Sequence, residues 1–227
     1  MRWPIIVLNL LKKSVLGHSK IVYAIWVTLI VTIIASLVTG RWFLAYVTSR
    51  TLVFSLIPAV LSQRFEIKLP VGFITFVVMF IFGTTFLGEE FDFYELFWWW
   101  DILLHGSSAI GFALIGAILV FMIFQGDRYV VPPFAAAFIA LCFAVTVGSF
   151  WEIYEFAMDQ LFGYNMQKSG LLDTMSDSIV NAIGASLGAT AGYFYLKGRE
   201  FGGLAGMIAE FVRMNRWLFK KEPPKDN

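Results

Sequence analysis

Cysteine occurs once in this chain, at position 142. An intrachain disulfide and a thiolate metal cluster are therefore excluded, and a lone mid-span cysteine reads as a small packing residue. Charge is scarce as well: Asp, Glu, Lys and Arg make up 15% of the residues, against 59% hydrophobic. A mean hydropathy of +0.74 is far more apolar than a soluble domain needs, and it describes a polytopic membrane protein. The motifs of several common enzyme classes are missing, with no HExxH, GxSxG, P-loop or dinucleotide-binding glycine pattern. No basic patch interleaved with aromatics points to nucleic acid. No tandem repeat is visible, and the polar motifs of the last three apolar runs have no counterpart in the first three, which weighs against an inverted-repeat transporter. The N-terminal "MRWPIIVLNLLKK" has an apolar run of only about eight residues and no small-residue cleavage site, so a removable signal peptide is not expected.

What the chain has instead is long apolar runs. A span needs about 20 predominantly apolar residues, and six such runs lie at 21–39, 42–61, 69–88, 100–124, 134–158 and 174–196. The expected fold is an all-α membrane protein: a six-transmembrane-helix bundle forming one domain over 1–227. Amphipathic interfacial helices are expected at both termini, at 2–16 and 201–219. In the second of these Leu204, Ile208, Phe211, Val212, Leu218 and Phe219 oppose Arg213, Arg216 and Lys220; a plain continuation of the neighbouring span is the alternative for each. Trp98, Trp99 and Trp100 on one side and Trp3 and Trp217 on the other sit where interfacial aromatic belts belong.

The net charge of +1 hides an asymmetry. If the N-terminus is cytoplasmic, fourteen Lys and Arg residues fall on the cytoplasmic side and only Arg41 and Lys168 on the other, with Arg50 inside the second span. The positive-inside rule then predicts both termini in the cytoplasm of a cell in whose inner (cytoplasmic) membrane the chain sits. The basic cytoplasmic segments suit anionic lipid headgroups.

Small residues mark the faces on which helices approach closely: Ala109, Ala113 and Ala117; Ala140, Ala144 and Gly148; Gly184, Gly188 and Gly192. Ionisable residues continue these stripes. "DILLH" carries Asp101 and His105, "EIYE" carries Glu152 and Glu155, and "DTMSDSIVN" carries Asp173, Asp177 and Asn181, each set on one helix face by its three- or four-residue spacing. Because span four begins outside, span five ends outside and span six begins outside, all three sets fall within two to three turns of the same outer surface at about 1.5 Å rise per residue. Arg50 enters from the outer end of span two to roughly 12 Å depth by the same rise, and its expected partner is a carboxylate of the cluster or an anionic ligand.

Three uses of such a cluster remain open. Carboxylates with one imidazole suit a divalent metal (Zn, Mn, Mg or Fe); clustered acids can exchange protons during transport; or the groups are buried hydrogen-bond partners in an envelope scaffold. The leading expectation is a metal-assisted enzyme acting at the outer leaflet on an amphiphilic or lipid-linked substrate. His105, Glu152 and Asp177 are the metal ligands, Glu155 and Asp101 the catalytic groups, and Arg50, Asn181 and Asp173 bind or orient. Membrane lipids and an anionic or lipid-linked substrate are the expected partners, with a proton-coupled permease as the alternative.

In the runs "WWDILLH", "WEIYEF" and "DTMSDSIVNAIGASLG" the chain resembles the YjdF-like family of bacterial and archaeal multi-pass membrane proteins. It is also similar to the broader VanZ-like proteins, whose spans carry an Asp and a His on one helix, a Glu on the next, and Asp, Asn and Gly on the last. The likeness covers residues 100–192. It implies that Asp101, His105, Glu152, Glu155, Asp177 and Asn181 are the shared polar positions, and the VanZ-like group brings an association with glycopeptide resistance and the cell envelope. "EEFDF" at Glu89 and Glu90 superficially resembles membrane CAAX-type proteases but lacks their following arginine and later histidine motifs.

Overall fold

The computed structural model describes residues 17–124, 132–199 and 202–219, so the expected helix at 2–16 lies outside the described residues. All regular structure among them is helical: α1 (Lys20–Val38), α2 (Trp42–Arg64), α3 (Val71–Ile81), α4 (Phe93–Leu96), α5 (Trp100–Ile123), α6 (Pro133–Phe162), α7 (Leu171–Leu196) and α8 (Gly203–Met214). A π-helical stretch, Phe82–Glu90, extends α3, and a 3-10 turn, Arg216–Phe219, follows α8. Six of these helices are long and apolar enough to cross a membrane, counting Val71–Glu90 as one. They match the six apolar runs, because a backbone that must satisfy its own hydrogen bonds in lipid has few alternatives to a continuous helix. Boundaries follow local chemistry. Ser19 caps α1 by accepting from the Val22 amide at 3.3 Å, Pro133 opens α6 where its missing N–H costs nothing, and Gly163 ends α6 at φ +70°, a left-handed turn that a side chain disfavours.

The chain divides into two compact units, Met1–Trp100 and Asp101–Asn227. The core of the first is Val22, Ile25, Trp26 and Leu29 of α1 against Leu44 of α2, Ile74 and Val78 of α3, and Phe86. A buried hydrogen bond from Trp26 Nε1 to Ser55 Oγ, 3.0 Å, pins α1 to α2. The π-helical stretch, where a plain span was expected, has an identifiable local cause. Hydroxyls of Thr84 and Thr85 both bond back to the Ile81 carbonyl, at 3.2 and 2.7 Å, competing with the ordinary ladder, and Trp100 Nε1 donates to the Gly83 carbonyl at 3.3 Å. The tryptophan triplet therefore divides its labour: Trp98 and Trp99 are exposed as an interfacial anchor would be, whereas Trp100 is tied inward and stacks edge-on against Phe93.

In the second unit the small-residue stripes are the packing faces. A Cβ added at Gly184 would stand 2.3 Å from the Gly106 carbonyl oxygen, one at Gly188 would meet Ala113 Cβ and the Ile110 oxygen at 2.7 Å, and one at Gly192 would meet Ala117 Cβ at 2.9 Å. Helices α5 and α7 thus meet backbone to backbone at Gly184 and Gly188 and stay close as far as Gly192, about two turns on. Ala140 and Ala144 bring α6 into the same core. The C-terminal helix corrects its expectation in part. Ile208 is buried with Phe121 and Tyr195, and Leu204, Val212 and Phe219 pack around them, while the buried Phe211 meets Phe219 edge-on, so the apolar face of α8 rests on protein and Arg213, Arg216 and Trp217 face outward. Cys142, expected to pack, is exposed on α6.

Candidate functional site

Asp101 and His105 lie on the first two turns of α5, Glu152 and Glu155 near the end of α6, and Asp177 and Asn181 on the second and third turns of α7. Each pair shares a face through helical spacing, and the glycine contacts decide how near the faces come. His105 precedes Gly106, the residue whose carbonyl lies against Gly184, and Gly148 leaves the space in which the Asn181 amide sits, since a Cβ there would be 2.9 Å from Asn181 Nδ2.

His105 is the hub. Its Nε2 faces Asp101 Oδ1 at 3.6 Å and Asp177 Oδ2 at 3.9 Å. Its Nδ1 faces Glu152 Oε1 at 3.7 Å and Asn181 Nδ2 at 3.4 Å. The ion-pair distances exceed those of direct hydrogen bonds, which lie at about 2.7–3.2 Å for nitrogen and oxygen. One ligand atom each from Asp101, His105 and Asp177 falls within 4.8 Å of the others, a group that could hold a metal ion. For comparison, two ligands about 2.0–2.2 Å from a tetrahedral ion stand about 3.3–3.6 Å apart.

Burial makes the arrangement costly without a counter-charge. Glu152, Glu155, Asp177 and Asn181 are all buried, Asp177 to 2% exposure, and Asp101 and Asp173 are half-buried. Both carboxylate oxygens of Glu152, and Oδ2 of Asp177, are enclosed and lack a close hydrogen-bond partner, with the Thr174 hydroxyl turned toward Glu152. Two like charges 4 Å apart repel by about 4 kcal/mol at an effective dielectric of 20, and each unsatisfied buried group adds about 1–3 kcal/mol. A cation or shared protons must therefore accompany the cluster.

The remaining residues have other settings. Trp151 Nε1 donates to Glu155 Oε1 at 3.0 Å, a partner that residue spacing could have suggested, since it lies one turn earlier on the same helix. Asp173 sits beside Lys168, within electrostatic reach of Asp101 and His105, and outside the three-residue group. Asp159 accepts from the Met166 and Gln167 amides at 2.7 and 2.9 Å, folding the connection between α6 and α7 back onto α6. Arg50 has a partner that the sequence reading did not name: its guanidinium pairs with Glu89 in its own unit. The π-helical stretch carries Glu89 into the helix, past the end of the 69–88 run.

A family described as "Predicted membrane protein (DUF2238)" matches residues 18–198, well beyond the stretch that carries the motif resemblance, and the chain belongs to that family. An "Uncharacterized protein" of Thermotoga maritima is 34% identical over 124 residues, 53% of this chain and 62% of the relative; the match thus spans about three fifths of that relative's length. No solved structure matches the chain.

Proposed function

We propose that this member of the DUF2238 family is a metal-assisted enzyme of the cell envelope, working on an amphiphilic or lipid-linked substrate at the outer membrane surface. The observation that supports this reading is the spacing of Asp101, His105 and Asp177, whose ligand atoms lie within 4.8 Å of one another, with the buried Asp177 Oδ2 aimed at the group and holding no donor. One imidazole with two carboxylates is a donor set for Zn, Mn, Fe or Mg. An ion held there supplies Lewis-acid polarisation of a phosphoryl or carbonyl oxygen. Glu155, next to the ligands and steadied by Trp151, serves as general acid or base, and Asp173, beside Lys168, would take part in orienting an anionic headgroup.

The excess of Lys and Arg on the opposite helix ends supports a site on the outer side, with both termini in the cytoplasm. The likeness to YjdF-like and VanZ-like proteins agrees with an envelope role. The test is elemental analysis of the full chain purified in detergent without chelator. One ion per chain, lost in His105→Ala and in Asp177→Ala, is expected. A metal-free wild type that drives substrate-dependent proton flux in liposomes would replace this reading with transport.

A further inference from the structure

Two edges of one imidazole ring meet two different sets of groups, and that asymmetry separates Glu152 from the other acids. At Nε2 stand Asp101 and Asp177, which complete the group able to share one ion. Glu152, expected from sequence to be a ligand, stands at Nδ1, the ring edge facing away from that group. We infer that Glu152 is a positioning residue: it accepts the Nδ1–H of His105 and thereby turns the Nε2 lone pair toward the ion. The inference rests on the metal reading above.

The chemistry is that of the carboxylate–imidazole–metal relay. A neutral imidazole has one N–H and one lone pair. With the lone pair committed to an ion at Nε2, the proton resides on Nδ1, where the ion's charge makes it a strong donor. Glu152 Oε1 is the anionic group facing Nδ1, at 3.7 Å, which must close by about 0.5 Å to become a direct hydrogen bond, and Glu152 is held for the role by burial to 5% exposure, with no close hydrogen-bond partner on either oxygen. Asn181 stands beside it at 3.4 Å from Nδ1. Its NH2, the group that faces Nδ1, cannot satisfy a protonated Nδ1, because both are donors, so the acceptor for that proton is Glu152. Asn181 is kept close by Gly148, one turn before Glu152 on α6, whose missing side chain makes the room. Without an ion the preference reverses, since two carboxylates at Nε2 attract the ring proton to that edge. Ion binding is therefore coupled to a tautomer exchange that Glu152 favours.

The experiment is titration of the purified full chain with Co(II), read by its absorption bands, and with Zn(II) by competition, alongside 15N spectra of the His105 ring. Wild type, Glu152→Gln and Asp177→Ala are compared. Glu152→Gln is expected to bind one ion about 10- to 100-fold more weakly, the range found for such outer partners, with the His105 Nδ1–H resonance shifted and the Co(II) band pattern kept. Asp177→Ala is expected to lose the site. Unchanged affinity in Glu152→Gln overturns the inference while leaving the metal site standing, and so does loss of binding and of the band pattern as complete as in Asp177→Ala, which would make Glu152 a ligand. A wild type that binds no ion overturns the metal reading itself. If Glu152→Gln does not fold, Glu152→Asp, which keeps the charge but shortens the reach, is read by the same criteria.

Discussion

The contact between Gly184 and Gly106 sets the separation of α5 and α7, and it can be perturbed by a single methyl group. In Gly184→Ala the new Cβ would lie 2.3 Å from the Gly106 carbonyl oxygen and 3.1 Å from Ala109 Cβ. An ordinary contact begins at 3.4 Å, so the helices must separate by about 1.1 Å, the difference between 3.4 and 2.3 Å. Backbone cannot rotate away as a side chain can, and overpacking of this kind costs about 1–3 kcal/mol. The same displacement acts on the site, because His105 is adjacent to Gly106 and Asp177 lies two turns before Gly184. The 3.9 Å between His105 Nε2 and Asp177 Oδ2 would open toward about 5 Å, beyond what a shared ion can bridge with ligand bonds of about 2.0–2.2 Å. Thermal unfolding in detergent, followed by tryptophan fluorescence with and without Zn(II), reads both effects. Gly72→Ala is the control, since nothing lies within 4 Å of its added Cβ and alanine is the better helix former by about 1 kcal/mol. A Gly184→Ala protein that melts at the wild-type temperature and binds the ion equally well would falsify the account of α5–α7 packing.

Other outcomes follow from single residues. Asp177→Asn replaces a buried carboxyl with no donor on its Oδ2 by a neutral amide that needs neither an ion nor a shared proton, so in chelator it should melt no lower than wild type. Added ion at about 100 times its Kd should stabilise wild type by about 2.7 kcal/mol and leave the variant unmoved; a chelated variant less stable than wild type contradicts this. Asp159→Ala deletes two charge-assisted bonds to the Met166 and Gln167 amides, and limited proteolysis between 163 and 170 should accelerate several-fold while cleavage elsewhere is unchanged. Orientation is read in a Cys142→Ala background, tolerated because Cys142 is exposed. A membrane-impermeant maleimide should label Ser169→Cys on intact cells and Lys197→Cys only after permeabilisation, and the reverse pattern inverts the topology.

Much of the fold is legible along the chain because it is local. Apolar runs of span length bounded by Pro133, Gly163 and the Trp98–Trp100 belt have one low-energy backbone solution in lipid, and the helical ends agree with the runs to within a few residues. Three- and four-residue spacing also suffices to put Asp101 with His105 and Glu152 with Glu155 on single faces. The face of α8 is ambiguous for a related reason: an amphipathic helix presents the same pattern whether its apolar side meets lipid or the buried ends of α5 and α7.

Sequence by itself thus determined the helical class, the number of long apolar helices and which polar residues share a face, since each depends only on neighbours along the chain. Tertiary structure decided three other things. It brought Nε2 of His105 to Asp101 and Asp177 and Nδ1 to Glu152; it gave Arg50 to Glu89; and it laid Ile208 against protein. These outcomes turn on helix rotation and separation at the scale of one ångström, set by where glycine lets two backbones touch, and no periodicity along one chain encodes a distance between two helices.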